Sequence, residues 1–115
     1  MSADCLFCKI ATGEIPARLV YEDERVVAFE DINPVAPQHL LIIPRKHIST
    51  TLDLAAEDAE LIGHIHLVAG RLARQLGVAE AGFRLVNNCN VAGGQTVWHL
   101  HFPLLAGRAM TWPPG

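Results

Sequence analysis

The sequence predicts an α+β fold with about five strands, one long helix and a short N-terminal helix. Three observations predict it. Strand-length apolar runs at residues 18–29 and 39–44 are bounded by turn residues. A stripe of apolar residues at helical spacing runs from about Asp53 to Leu76. Two more apolar runs, at residues 83–87 and 99–105, follow that stripe.

The bulk composition fits one domain over residues 1–115, large enough for a single hydrophobic core. Half the residues are hydrophobic and 18% are charged, which excludes a disordered chain. A net charge of -3 gives no electrostatic case for nucleic acid. No apolar run approaches the roughly 20 residues of a membrane span, and the start Met1-Ser2-Ala3-Asp4 lacks the pattern of a signal peptide. The reading is a cytoplasmic protein without membrane or nucleic-acid partners. Its three cysteines then read as thiols or metal ligands.

Residues 5–12 precede Gly13 and Pro16, which reads as a short helix with Gly13 just past its end. It carries a CxxC pair, a spacing that lets two thiolates reach one tetrahedral ion or simply packs two small apolar side chains. Arg18-Leu19-Val20-Tyr21 and Val26-Val27-Ala28-Phe29 flank the polar turn Glu22-Asp23-Glu24-Arg25 and read as a hairpin. Asp31 follows at the strand end, where a carboxylate can hold a ribose diol or merely form a turn. His39-Leu40-Leu41-Ile42-Ile43-Pro44 reads as a central strand covered on both faces.

The helix over residues 53–76 buries Leu61, Ile62, Ile65, Val68, Leu72 and Leu76, with acids in its first turns and arginines near its end. His64 and His66 lie two apart on it, point to different sides and read as non-catalytic. Residues 83–87 form the next strand, and residues 88–94 a polar glycine-rich loop. Cys89 reads as a structural thiol. In the strand expected after that loop, His99 and His101 share one face while Leu100, Phe102 and Leu104 take the other. The tail Trp112-Pro113-Pro114-Gly115 is too short to bury itself and reads as packing on another surface.

A neutral imidazole can attack phosphorus to give a phosphoramidate that water cleaves, provided that a hydrogen bond at its other nitrogen fixes the tautomer. Gly93, Gly94, Gln95 and Thr96 are placed to supply backbone amides and a hydroxyl to phosphate oxygens. The residues alone leave a metal site and a packed histidine pair as alternatives.

The stretch Gln-Thr-Val-Trp-His-Leu-His-Phe-x-Leu-Leu resembles the histidine-triad (HIT) signature, His-φ-His-φ-His-φ-φ with φ apolar. The resemblance extends through Leu6-Phe7-Cys8-Lys9-Ile10, Gly13-Glu14-Ile15-Pro16, Ala28-Phe29-Glu30-Asp31-Ile32, Pro37-Gln38-His39, Ile43-Pro44-Arg45-Lys46-His47-Ile48 and the tail, and is to the Hint branch. It implies a HIT-like antiparallel sheet and a homodimer with a continuous sheet, its tail reaching towards the partner's site. It also implies a purine nucleoside phosphoramidase acting on adenosine monophosphate joined to an amine or lysine, with no organic cofactor.

By this resemblance His101 is the nucleophile, His99 the first triad member and His39 a histidine that supports it. Asp31 binds ribose, while Ile10, Phe29 and Ile32 wall the base. Asn88, Gly94, Gln95, Thr96 and Val97 hold the phosphate. Some relatives bind zinc through a CxxC pair and two histidines, which here implies a Cys5, Cys8, His47 and His99 set of structural composition. Pro103 departs from the signature, standing where the third histidine belongs, and proline has no side-chain donor and no backbone N–H. A proline there also predicts an edge strand or an end of pairing. Three functional readings follow: a hydrolase using His101, a weak or inactive purine-nucleotide-binding or scaffold protein, and a zinc-stabilised structural dimer.

Overall fold

The computed structural model describes residues 4–115; residues 1–3, which carry part of the signal-peptide reading, lie outside the described residues. The elements are α1 (Leu6–Thr12), β1 (Leu19–Glu22), β2 (Val26–Glu30), β3 (Gln38–Pro44), α2 (Ala59–Gln75), β4 (Phe83–Leu85) and β5 (Phe102–Ala106). The strands form one antiparallel sheet in the order β1-β2-β3-β5-β4. Among the described residues, no helix is long and apolar enough to cross a membrane.

Alternation along the strands sends side chains to two cores. On one face Val26, Ala28, Leu40, Ile42 and Leu104 pack against Ile65, Val68 and Leu72 of α2. On the other, Val27, Phe29, Leu41 and Ile43 receive Phe7, Cys8 and Ile10 of α1. The unbroken apolar run of β3 follows from this double cover. α1 is capped at its start by Cys5, whose sulfur accepts the Cys8 N–H, and at its end by Gly13 with φ 83°.

Three boundaries differ from those the sequence predicts, each for a local hydrogen-bonding reason. The long helix starts at Ala59 rather than Asp53, because residues 51–58 form two 3₁₀ turns. There the Asp53 carboxylate accepts the Thr50 N–H and the Asp58 carboxylate accepts the Ala55 N–H, side-chain bonds that compete with helix formation.

His99 and His101 precede β5 instead of lying in it. Continuing the β3–β5 register would place Leu100 opposite Pro44, which has no N–H to donate. The Leu100 N–H goes instead to the Ile48 carbonyl at 2.6 Å. The alternation nevertheless persists: Leu100 is buried on the α2 side, and both histidine rings meet Phe7 on the other.

β4 ends at Leu85 rather than Asn87. Val86 donates its N–H to the Pro103 carbonyl at 2.9 Å, but Pro103 has no N–H to return. Pro103 therefore sits inside an inner strand, opposite Leu41, at the point where the β4 ladder stops.

His64 and His66 each have a partner within the fold. His64 Nε2 lies 2.6 Å from Asp23 Oδ2, and the His66 ring packs against Phe102. Asp23 joins the β1–β2 turn to α2, since it also accepts the Tyr21 hydroxyl and the Arg25 and Val26 N–H groups. Burial would raise the Asp23 carboxyl, but the hydrogen bonds from Tyr21, Arg25, His64 and Val26 outweigh burial and hold it well below the usual carboxylate range. With the folded value below the unfolded one of about 3.9, its contribution is complete above that pH and is lost as the acid range is entered. We predict that the thermal midpoint falls below about pH 4, and that Asp23→Asn flattens this acid limb in a melting series.

Candidate functional site

The site lies on the α1 face of the sheet, where the chain entering β5 passes beneath α1. His99 is fully buried. Its Nε2 donates to the Pro44 carbonyl at 2.8 Å, so its unprotonated Nδ1 faces the sulfurs of Cys5 at 3.3 Å and Cys8 at 3.5 Å. Cys8 Sγ lies a further 3.3 Å from His47 Nδ1, and the outer nitrogen of His47 meets Ser49 Oγ at 3.3 Å. Burial pushes the His99 imidazole below its ordinary pKa; the Pro44 bond opposes this, and neighbouring His47 and His101 reinforce it. The ring is thereby kept neutral, as a metal ligand or a brace requires.

The four ligand atoms of Cys5, Cys8, His47 and His99 lie within 4.8 Å of one another. Bonds of about 2.0–2.3 Å to a tetrahedral ion put its ligand atoms roughly 3.5 Å apart, close to the sulfur–nitrogen separations here. Both histidines also have their outer nitrogens engaged, the arrangement that fixes ligand tautomers. The residues therefore fit a metal ion, whose contribution would be to fasten α1 to the strand entrance.

His101 is half-buried, with Nδ1 donating to the His99 carbonyl at 2.8 Å and the ring edge-on to Phe7 at 5.3 Å between centroids. With the proton held on Nδ1, Nε2 carries the lone pair. The tautomer that nucleophilic attack requires is set by the backbone itself.

The glycine loop is braced differently from expectation. Gln95 is buried; its oxygen accepts the Asn90 N–H, and its amide nitrogen donates to the Ser49 and Val97 carbonyls. The backbone N–H groups of Gly93, Gly94 and Gln95 close turns within the loop on Asn90 and Val91 carbonyls. Gln95 therefore shapes the loop, and neither its side chain nor these amides are directed at a phosphate. Gly93 is required sterically, since a Cβ there would lie 2.3 Å from the Cys89 carbonyl oxygen. Gly94, at φ 90°, packs near the Asn88 side chain. Thr96 is exposed and Val97 half-buried beside this loop.

Ile10 and Phe29 belong to the apolar cluster under the site, whereas Ile32 stands 92% exposed. Asp31 accepts the Asn33 N–H at 2.8 Å and lies 3.4 Å from His39 Nε2. The Val35 N–H donates to His39 Nδ1 at 3.1 Å. His39 is thus a neighbour of Asp31 and not, among the described residues, of His99. The register explains this, for His39 faces Leu105, at the far end of β5 from His99.

Sequence reading missed Phe7, which touches both histidine rings. It also missed the Pro44 and His99 carbonyls, which no sequence pattern marks.

A five-stranded sheet with paired histidines at the entrance to an inner strand, behind a glycine loop, defines a class of small α+β proteins. A HIT domain family model matches residues 12–110, and the chain belongs to that family. It is 46% identical over 110 residues to a purine nucleoside phosphoramidase of Escherichia coli, covering 96% of this chain and 92% of that protein. It is 50% identical to an uncharacterised HIT-like protein of Synechococcus elongatus, over the whole of both chains. The crystal structure of a HIT family hydrolase from Legionella pneumophila superposes with a TM-score of 0.96 at 57% identity, covering 97% of this chain and 100% of that one.

Cys8→Ser removes one of the four ligand atoms. We predict loss of bound divalent metal by elemental analysis and a lowered thermal midpoint, matched by chelator treatment of the unaltered protein.

Proposed function

We propose that the protein is a purine-nucleotide hydrolase of the phosphoramidase type, using His101 as the nucleophile. The observation that carries this reading is the His101 Nδ1 bond to the His99 carbonyl. His101 Nε2 attacks the α-phosphorus of a nucleoside phosphoramidate as the phosphorus–nitrogen bond breaks, and the departing amine takes its proton from solvent. Water then cleaves the phosphorus–nitrogen bond of the nucleotidyl-histidine, releasing the monophosphate and restoring the imidazole. Asp31 receives the ribose hydroxyls, with Ile10, Phe29 and Ile32 beside the base. Thr96, Val97 and Asn88 approach the phosphate, while Gly94 leaves room for it. The phosphoramidase at 46% identity supports this substrate class.

In this reading the ion held by Cys5, Cys8, His47 and His99 is zinc, the ion that suits a closed set of two thiolates and two imidazoles. Its role is structural. A homodimer completes the proposal, built by pairing the outer strand β4 with its copy, and the setting is the cytoplasm.

Pro103 limits the rate on amines. It shares the sheet face of His101 and offers the departing amine no proton. A second reading, a nucleotide-binding protein with little turnover, rests on this same residue.

We predict that His101→Ala abolishes release of adenosine monophosphate from adenosine 5′-phosphoramidate, and that acid-labile labelling of the protein by substrate disappears with it. Equal rates for the two proteins would refute the assignment. Pro103→His is expected to raise the rate on that substrate by about 10²–10³, measured as kcat; no gain together with retained micromolar binding would favour the second reading.

A further inference from the structure

The histidine segment lies past the end of regular pairing on both edges, so other groups must hold its main chain. On the β3 side, the Leu100 N–H donates to the Ile48 carbonyl at 2.6 Å. On the β4 side, the last bond between main chains runs from the Val86 N–H to the Pro103 carbonyl. Alternate residues of an antiparallel strand turn their carbonyls to the same edge, so the His101 carbonyl faces β4 as the Pro103 carbonyl does. Continuing the β4–β5 register would set Asn88 opposite His101, but β4 has already ended at Leu85. The side chain of Asn87 takes that place, its Nδ2 donating to the His101 carbonyl at 3.4 Å.

Asn87 is itself held. Its Oδ1 accepts the Thr51 hydroxyl, which leaves the amide nitrogen turned towards His101. Thr51 opens a 3₁₀ turn with a reciprocal cap: Thr50 Oγ1 accepts the Leu52 N–H, and the Asp53 carboxylate accepts the Thr50 N–H, each at 3.1 Å. Thr50 is buried, so the turn is a fixed base. Ile48 and Thr51 belong to one short stretch after β3. That stretch therefore supports the histidine segment from both edges, at Leu100 directly and at His101 through Asn87.

We propose that Asn87 is a positioning residue for His101 and that Thr51 fixes it in that role, an inference that rests on His101 as the nucleophile of the proposed function. The His99 carbonyl that takes the His101 Nδ1 proton belongs to the same peptide unit as the Leu100 N–H, which Ile48 holds. The peptide unit on the other side of His101 carries the carbonyl that Asn87 holds. With both units fixed, the imidazole leaves the main chain in one direction, and Nε2 has one line of approach. Without the Asn87 bond the second unit can turn about the His101 backbone, and the ring turns with it. Attack on phosphorus loses rate steeply when the reacting atoms are displaced on the ångström scale. The effect falls on the chemical step, because Asn87 acts through His101 and touches no substrate.

The test measures kcat on adenosine 5′-phosphoramidate together with calorimetric binding of adenosine monophosphate. Asn87→Ala is expected to lower kcat about ten- to a hundredfold and Thr51→Val by a smaller factor, with the affinity and stoichiometry of nucleotide binding unchanged. Thr51→Ser, which keeps the hydroxyl, should restore kcat. Because the two residues act through one chain of hydrogen bonds, the double variant should be no slower than Asn87→Ala alone. A fall in kcat matched by lowered stoichiometry or affinity assigns the pair to the fold alone and overturns the inference. Unchanged kcat in Asn87→Ala, or losses that multiply in the double variant, also overturns it and leaves the proposed function standing. Absence of His101-dependent turnover in the unaltered protein overturns both. Thr51→Val, with Thr51→Ser as its control, decides the matter if Asn87→Ala does not fold.

Discussion

Both nitrogens and the backbone of His99 are committed, and the rest of the site depends on that. Nε2 grips the end of β3 through the Pro44 carbonyl, Nδ1 faces the thiols of α1, and the main-chain oxygen holds the His101 proton. One buried imidazole therefore joins a strand, a helix and His101. The neutrality enforced by its burial suits this arrangement, because a protonated ring would present a donor to the thiols instead of a lone pair. A metal ion at Nδ1 and the carbonyl bond to His101 are compatible, since they use different atoms of the same residue.

Two prolines shape the strand that follows. Pro44 stops the β3–β5 ladder before it reaches the histidines, which frees the segment around His99 to bend and its side chains to take irregular partners. Pro103 stops the β4 ladder two residues beyond His101. Both act by the absence of a backbone donor, and the pair of stops delimits the stretch in which the site is built. The site sits where regular pairing has been interrupted on both sides, close to rigid strands but not constrained by their hydrogen bonds.

Much of this was legible in the chain. The alternation of His99, Leu100, His101 and Phe102 placed the histidines on one face and the apolar pair on the other, and it holds although His99 to His101 are not in a strand. Leu61, Ile65, Val68 and Leu72 identified the buried face of α2, with Ile62 and Leu76 at its partly buried margin and Ala69 and Ala73 filling it unannounced. The family resemblance, and not the spacing, joined His47 and His99 to the CxxC pair as the cluster that could hold a metal. What could not be read was how polar groups are shared out. Gln95 stands in a motif that suggests phosphate contact, yet its amide holds the loop together, because burial there demands that each of its donors and acceptors find a protein partner. The Asp53 and Asp58 carboxylates similarly cap turns that helical periodicity overran. His39 follows the same logic, since only the strand register reveals that it neighbours Asp31.

The contacts between α1 and the histidine segment have a kinetic side. Cys5 and His99 meet across a separation of 94 positions, and Phe7 packs on His101 over a similar span. Bringing such distant segments together carries the loop-closure entropy of nearly the whole chain, and contacts of this range slow folding. α1 is synthesised first but meets His99 and His101 only when the segment leading into the last strand has emerged. During translation, therefore, the elements from α1 to β4 can be present while Phe7 still lacks its histidine neighbours. The site is completed by the meeting of the two ends of the chain, so a nascent or truncated polypeptide that stops short of His99 keeps the apolar seat of α1 on β2 and β3 but lacks its contacts with the two histidines.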